Sequence, residues 1–213
     1  MYHDAYAHLY QKVNGFNIKI LAPENSLLEG FLSLEPSTRS TYDMAMRDAT
    51  INGLLTMKEI DKLKPSQIFY KDNNPNELYI IQSTNRLEFQ KNTLNITAIK
   101  QNSFITVQRK EYDIELDKEE YKDIYKDIIS FVSLQNKDEK NFAAGIEDNT
   151  SINIQIPKRD IDDVLRIINN QDRIILKNIQ GDLERPVKVE SIDEFGVPGV
   201  IRIYGTYDTR TGD

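Results

Sequence analysis

Apolar residues in this chain fall mainly at every second position. Phe16-Asn17-Ile18-Lys19-Ile20-Leu21 alternates apolar and polar, the period of a strand with one buried and one wet face. Pro23 ends that run, and residues 27–34 form a second apolar stretch interrupted by Gly30. Strand-like pattern returns at 51–57 and, after a polar turn, at 67–70. Asp72-Asn73-Asn74-Pro75-Asn76 is built of turn formers and predicts a hairpin from 67–70 to Leu78-Tyr79-Ile80-Ile81-Gln82-Ser83. Leu94-Asn95-Ile96-Thr97-Ala98-Ile99 and Phe104-Ile105-Thr106-Val107-Gln108 alternate in the same way. The sharpest alternation is Ser151-Ile152-Asn153-Ile154-Gln155-Ile156, closed by Pro157. Residues 173–176, 187–192 and 200–204 predict three further strands. Short strands at such close spacing predict a small barrel or sandwich.

One segment carries a different period. Tyr121, Ile124, Tyr125, Ile128, Ile129 and Val132 recur at three- and four-residue steps, which predicts an amphipathic helix over 117–132. Asp117 would cap it, and Glu119 and Glu120 would sit in its first turn, where the helix dipole favours acids. Residues 134–150 are polar and read as a linker or exposed loop. A short helix is also predicted at residues 1–11, and another after Asp160 through Val164, Leu165 and Ile168. The expected fold is therefore mainly β (α+β), made of small β-barrel or sandwich modules with one intervening amphipathic helix. Its expected parts are an N-terminal β-rich module with a short helix (1–116), a helix and linker (117–150) and a C-terminal β-module (151–213).

The order of turn, strand, loop, strand, connector and strand over 62–99 recurs over 169–204. In that comparison Tyr79-Ile80-Ile81-Gln82-Ser83-Thr84 lies opposite Lys188-Val189-Glu190-Ser191-Ile192-Asp193. Two explanations stand side by side: a duplicated β-module, or the chance likeness of a common three-strand meander.

Composition narrows the function classes. The chain has 213 residues, 39% hydrophobic and 29% charged, and a formal net charge of −7. That is a globular composition, and its acidity argues against a general nucleic-acid binder, which needs clustered cations to displace phosphate counterions. The weak basic clusters at Arg109-Lys110 and Lys158-Arg159 are short and flanked by acids. There is no cysteine, hence no disulfide, thiolate metal site or cysteine nucleophile, and a reducing compartment fits. The N-terminus does not read as a signal peptide, no apolar run approaches a membrane span, and no membrane contact is expected. The sequons at Asn95 and Asn149 are read as chance matches.

Catalytic chemistry finds little purchase in the pattern. The two histidines, His3 and His8, lie in the N-terminal stretch and read as exposed side chains rather than members of a triad or ligands of a metal. Asp72-x-Asn74-x-Asn76 resembles the start of a calcium loop. However, Glu77 replaces the loop glycine and Ser83 stands where the bidentate glutamate belongs, so a hairpin turn explains it better. No glycine-rich phosphate loop or dinucleotide fingerprint is present, and no cofactor is expected. A carboxylate pair of the glycosidase kind could lie among the many acids, but charged runs such as 117–127 read as solvated faces. Tyr2, Tyr6 and Tyr10 are spaced by four and would form one stripe on a helix. That stripe would either pack on its own domain or dock on a neighbouring subunit, since tyrosine suits half-wet interfaces.

Several segments together resemble a known family. They are Leu63-Lys64-Pro65-Ser66-Gln67-Ile68-Phe69-Tyr70, Glu77-Leu78-Tyr79-Ile80-Ile81-Gln82-Ser83-Thr84-Asn85 and Asn95-Ile96-Thr97-Ala98-Ile99-Lys100-Gln101-Asn102. The C-terminal part adds Asn170-Gln171-Asp172-Arg173-Ile174-Ile175, Pro186-Val187-Lys188-Val189-Glu190-Ser191-Ile192 and Pro198-Gly199-Val200-Ile201-Arg202-Ile203. In outline, over residues 55–204, this resembles the head-closure or neck proteins of tailed bacteriophages. The resemblance implies a non-enzymatic β-barrel protein of the virion, assembled in the bacterial cytoplasm. It implies a ring of copies of itself between a portal or adaptor protein on the capsid side and a tail or tail-completion protein on the other. DNA would pass through the ring without specific binding, past an acidic wall. The predicted helix and second module depart from the simplest one-barrel members, so an adaptor, collar, tail-terminator or baseplate protein stays open. From other classes, a carboxylate-based hydrolase and an OB-like nucleic-acid binder remain alternatives.

Overall fold

The computed structural model describes residues 15–21, 26–35, 49–87, 91–113, 117–136, 150–158, 168–181 and 183–208, and all structural statements concern these. They form β1 (Gly15–Leu21), β2 (Leu27–Leu34), β3 (Thr50–Met57), β4 (Ile68–Lys71), β5 (Asn74–Arg86) and β6 (Thr93–Lys100). The second set is β7 (Ser103–Asp113), β8 (Lys118–Asn136), β9 (Thr150–Pro157), β10 (Arg173–Asn178), β11 (Glu184–Asp193) and β12 (Val200–Tyr207). The protein is mainly β, built as two closed barrels of six strands. One compact unit takes in Met1–Gln101 with Val197–Val200, the other Asn102–Gly196 with Ile201–Asp213. The division therefore falls at Gln101/Asn102 instead of the expected 116/117 and 150/151, because β7 and β8 are staves of the second barrel.

In the first barrel the alternation resolves as expected. Ile18 and Ile20 of β1, Leu28 and Leu32 of β2, and Leu55 and Met57 of β3 point inward with Phe69, Tyr79, Ile81, Leu94, Ile96 and Ala98. A 3-10 turn at Ile60–Lys62 adds Ile60, and Leu63 follows it into the same core. Phe69 and Tyr79, cross-strand partners on β4 and β5, stack with ring centroids 5.0 Å apart and planes 7° apart. The core of the second barrel is almost wholly β-branched: Ile105, Val107, Ile152, Ile154, Ile156, Ile174, Val187, Val189, Ile201 and Ile203, with Ile168 against them. β-Branched side chains fit a pleated, half-buried surface, and a closed barrel leaves no long edge to solvent.

The predicted helix over 117–132 is not formed. Residues 118–136 are one long strand, β8, antiparallel to β7, and Asp117, with φ +51°, sits in a turn rather than at a helix start. The misleading period has a physical origin. Ile105 pairs with Ile128, Val107 with Tyr125 and Gln108 with Asp123, so β8 carries an extra residue twice. Each bulge reverses which residues face inward, and Asp127 takes the left-handed conformation, φ +55°, between the two pairs. Tyr125, Ile128 and Val132 thus all meet the core at spacings of three and four. Residues 134–136, expected in the linker, belong to β8. The helices predicted at 1–11 and after Asp160 and most of the linker lie outside the described residues.

The two barrels share one strand order. Around the first it runs β1-β2-β3-β6-β5-β4, and around the second β7-β8-β9-β12-β11-β10, the same sequence of neighbours when each unit is counted from its own first strand. The likeness reaches single residues. β5 bulges against β6 between Ile81 and Ser83, and β11 bulges against β12 between Val189 and Ser191. Superposing the bulges makes Ile81 equivalent to Val189, a shift of one residue from the sequence comparison. The ladders then equate Tyr79 with Val187, Phe69 with Ile174, Ile20 with Val107, Ile18 with Ile105 and Ile96 with Ile203. Every one of these residues is a core residue of its barrel.

Candidate interaction surfaces

The hairpin expected at 72–76 is present, tighter than its turn formers suggest. Only Asp72 and Asn73 separate β4 from β5. The Asp72 N–H donates to the Asn17 carbonyl at 3.0 Å, and its carboxylate accepts the Lys19 ammonium at 2.8 Å. That partner raises the Lys19 pKa above its ordinary value. Asp72 therefore ties a turn to the neighbouring strand, and no calcium-loop geometry is seen there. Among the described residues no group of three or more His, Asp or Glu is placed to hold a metal ion, and no helix is long and apolar enough to cross a membrane.

Beside this turn the first barrel carries a groove of about 740 Å³. Leu27, Leu28 and Met57 line its apolar side, and Glu29, Thr56 and Lys58 are among its polar residues. The groove lies where β2 outruns β3: the β2–β3 ladder stops at the Gly30–Met57 pair, while β2 continues to Leu27 against β1. Leu27 is 53% exposed there.

On the same barrel Glu77 lies between two cations. Its carboxylate pairs with Lys71 at 2.9 Å and with Lys100, and accepts the Tyr79 hydroxyl at 3.1 Å. The Lys100 and Lys71 ammoniums hold its pKa down at about 2. Lys71 also lies 5.0 Å over the Phe16 ring and 5.4 Å over the Tyr79 ring. At neutral pH Glu77 is a fixed anion that fastens β4, β5 and β6 together; it holds no proton to donate.

In the second barrel the outer part of β7 and β8 is a two-stranded ribbon. β10 pairs with β7 only from Ser103 to Gln108, and β9 pairs with β8 only from Phe131 to Asn136. Residues 109–113 and 118–122 therefore pair only with each other. Cross-strand ion pairs lace the ribbon: Lys110 to Glu119, and Lys122 to Glu111 at 3.2 Å. Its root is held more firmly. Arg109 makes a bidentate pair with Asp172, Nε and Nη2 each 2.8 Å from a different carboxylate oxygen, and the Asn169 N–H donates 2.8 Å to the same carboxylate. The Arg173 guanidinium lies 4.9 Å over the Tyr121 ring.

The connection from β11 to β12 presents an aromatic side chain to solvent. Phe195 is 90% exposed, yet its backbone is fixed. One oxygen of Asp193 accepts the N–H groups of Phe195 at 3.0 Å and Gly196 at 2.9 Å, and those two bonds lower the Asp193 pKa. The Lys158 ammonium donates to the Glu194 carbonyl at 3.2 Å. A Cβ on Gly196 would overlap the Asp193 carboxylate, so a larger residue there would displace the side chain that holds the turn.

Tyr2, Tyr6 and Tyr10, the interface stripe expected from sequence, and His3 and His8 lie outside the described residues. The surfaces that are described were not singled out in the sequence. Phe195 stood in a turn assigned no role, although an aromatic residue beside Gly196 in a turn is itself a readable signal. The groove had none, since it arises from the stagger of β2 against β3. Compared with protein families, curated proteins and solved structures, the chain matches none.

Proposed function

We propose that this chain is a structural component of the head-to-tail junction of a tailed bacteriophage, working by binding and geometry without turnover. In this reading it forms a ring with copies of itself. A portal or adaptor protein lies on the capsid side and a tail or tail-completion protein on the other, and the ring helps to retain packaged DNA. The observation that carries the reading is the doubling of one closed barrel within a single chain. Such barrels hold their connections on rigid staves and hide their edges, which suits a repeated building block. The resemblance of residues 55–204 to neck proteins supplies the particular assembly. The net charge of −7 would let DNA pass a channel wall without adhering.

Electron microscopy of particles from a lysate that carries the gene and its neighbours tests this. Density for the chain in a ring between capsid and tail is the expected result. Intact particles lacking the chain would overturn it.

A further inference from the structure

We propose that the β7–β8 ribbon is a hinged arm. It swings as one piece about the bulged stretch at its base, and it is latched to the β10 side of the second barrel through Arg109–Asp172 and Tyr121–Arg173. The inference goes beyond the virion reading and does not depend on it.

The duplication supplies the comparison. With Ile20 equivalent to Val107, Leu21 corresponds to Gln108. The β1–β2 ladder ends there, at the Leu21–Leu27 pair, and runs from Gly15–Ser33 to that point without a register shift. The β7–β8 ladder instead continues from Arg109–Lys122 to Asp113–Lys118, with two register shifts just below. A barrel of this order therefore closes without a ribbon, and in the second barrel the ribbon and the bulges occur together.

Backbone pairing is thinnest at the bulges. Among the described residues, Ile124, Lys126 and Asp127 have no ladder partner on β7, and β9 pairs with β8 only from Phe131 onward. Asp127 stands in this stretch with φ +55°. On the other strand, pairing of β7 with β10 stops at Gln108–Arg173. A hinge line thus runs from the Gln108–Arg109 bond across to residues 124–127. Bulges bend and twist a strand, and a few residues at the end of an element suffice to absorb a hinge motion. Beyond the line the ladder from Arg109–Lys122 to Asp113–Lys118 is unshifted, which keeps the arm in one piece.

Two contacts hold the arm down, both to the start of β10. The fully buried Asp172 carboxylate takes Nε and Nη2 of Arg109 at 2.8 Å each. The Arg173 guanidinium lies 4.9 Å over the Tyr121 ring. Each strand of the arm is therefore tied once, Arg109 on β7 and Tyr121 on β8, to adjacent residues at one corner of the barrel.

Paired spin labels report the arm directly, since the chain has no cysteine of its own. K118C/K188C puts one label on the ribbon and one on β11 of the same barrel, at two exposed side chains. One narrow distance is expected when no other residue is changed. Adding Y121A/D172N, which removes the stack and the buried charge, is expected to bring in a second population at longer distance. Adding Y121F, which keeps a ring under Arg173, is expected to leave the narrow distance as it was. Amide hydrogen exchange separates swinging from melting: residues 110–112 and 119–121 are expected to keep their protection in Y121A/D172N. An unchanged narrow distance in Y121A/D172N, a second population already present with the latch intact, or loss of protection across the ribbon would each overturn the latched arm.

Discussion

Arg109 and Asp172 hold the root of the β7–β8 ribbon through two parallel 2.8 Å bonds to a carboxylate that is fully buried. The arrangement is asymmetric, since the guanidinium retains about a third of its exposure. Removing the arginine strands a buried anion with one N–H donor, from Asn169, whereas removing the acid leaves a cation that can reach water. Arg109→Ala is therefore expected to cost about 3 kcal/mol, and Asp172→Asn, which keeps an acceptor for Asn169, clearly less. Urea unfolding of both variants checks the order. Equal losses would show that burial of Asp172 is not what sets the cost.

Glu77 links stability to acid. Its pKa in the folded chain is about 2 against an ordinary 4.5, so its contribution is present above pH 4.5 and disappears as pH falls through about 2. The partly exposed lysines screen the network, which limits the gain to about 1–2 kcal/mol. Glu77→Gln is expected to lower stability at pH 7 and to flatten its dependence on pH between those limits. Thermal melts at pH 7, 4 and 2.5 would reveal this. Parallel wild-type and variant curves would exclude it.

Equivalent core positions in the two barrels are expected to carry similar weight. Phe69→Ala removes a fully buried ring stacked on Tyr79 and should cost about 3–5 kcal/mol. Ile174→Ala, at the matching position on β10, is fully buried too and should cost about 2–5 kcal/mol. Hydrogen exchange resolves which barrel each change loosens. The expected result is loss of protection confined to the barrel that bears the substitution.

The ion pairs of the ribbon should matter little. The side chains of Lys122 and Glu111 are 55% and 52% exposed, and exposed pairs contribute well under about 1 kcal/mol. A double-mutant cycle on this pair is expected to give a coupling below about 0.5 kcal/mol, vanishing in high salt. A larger, salt-resistant coupling would mean that the ribbon is stiffened by its charges.

Backbone approach fixes Gly53. A Cβ at this position of β3 would overlap the Ser33 carbonyl oxygen and press on Leu32. Gly53→Ala is therefore expected to destabilise the first barrel by about 1–3 kcal/mol, even though alanine is otherwise acceptable in a strand. Chemical denaturation measures it, and an unchanged midpoint would mean that β2 and β3 can separate without penalty.

The strands were legible wherever one face alone is buried. Ile18 and Ile20, Leu94 and Ile96, and Ile152, Ile154 and Ile156 announce their inward face because side-chain direction alternates along an extended chain. The turn residues between 72 and 76 and the repeated order over 62–99 and 169–204 were equally local. Closure was not: that β4 returns to β1 and β10 to β7 depends on ladders between residues roughly fifty or more positions apart, which leave no local trace.

The sequence by itself determined a mainly β chain, its turns and most of its core, because those follow from the period of single segments. Tertiary structure alone decided that Tyr125, Ile128 and Val132 lie on a bulged strand. One extra residue against β7 between Tyr125 and Ile128 makes that spacing three, while Ile128 and Val132 keep an even spacing of four, and only the partner strand shows where the extra residue falls. It likewise decided where the chain divides, and it formed the groove at Leu27, which exists because β2 outruns β3. These are properties of paired strands, and pairing is fixed by the fit of distant segments to one core.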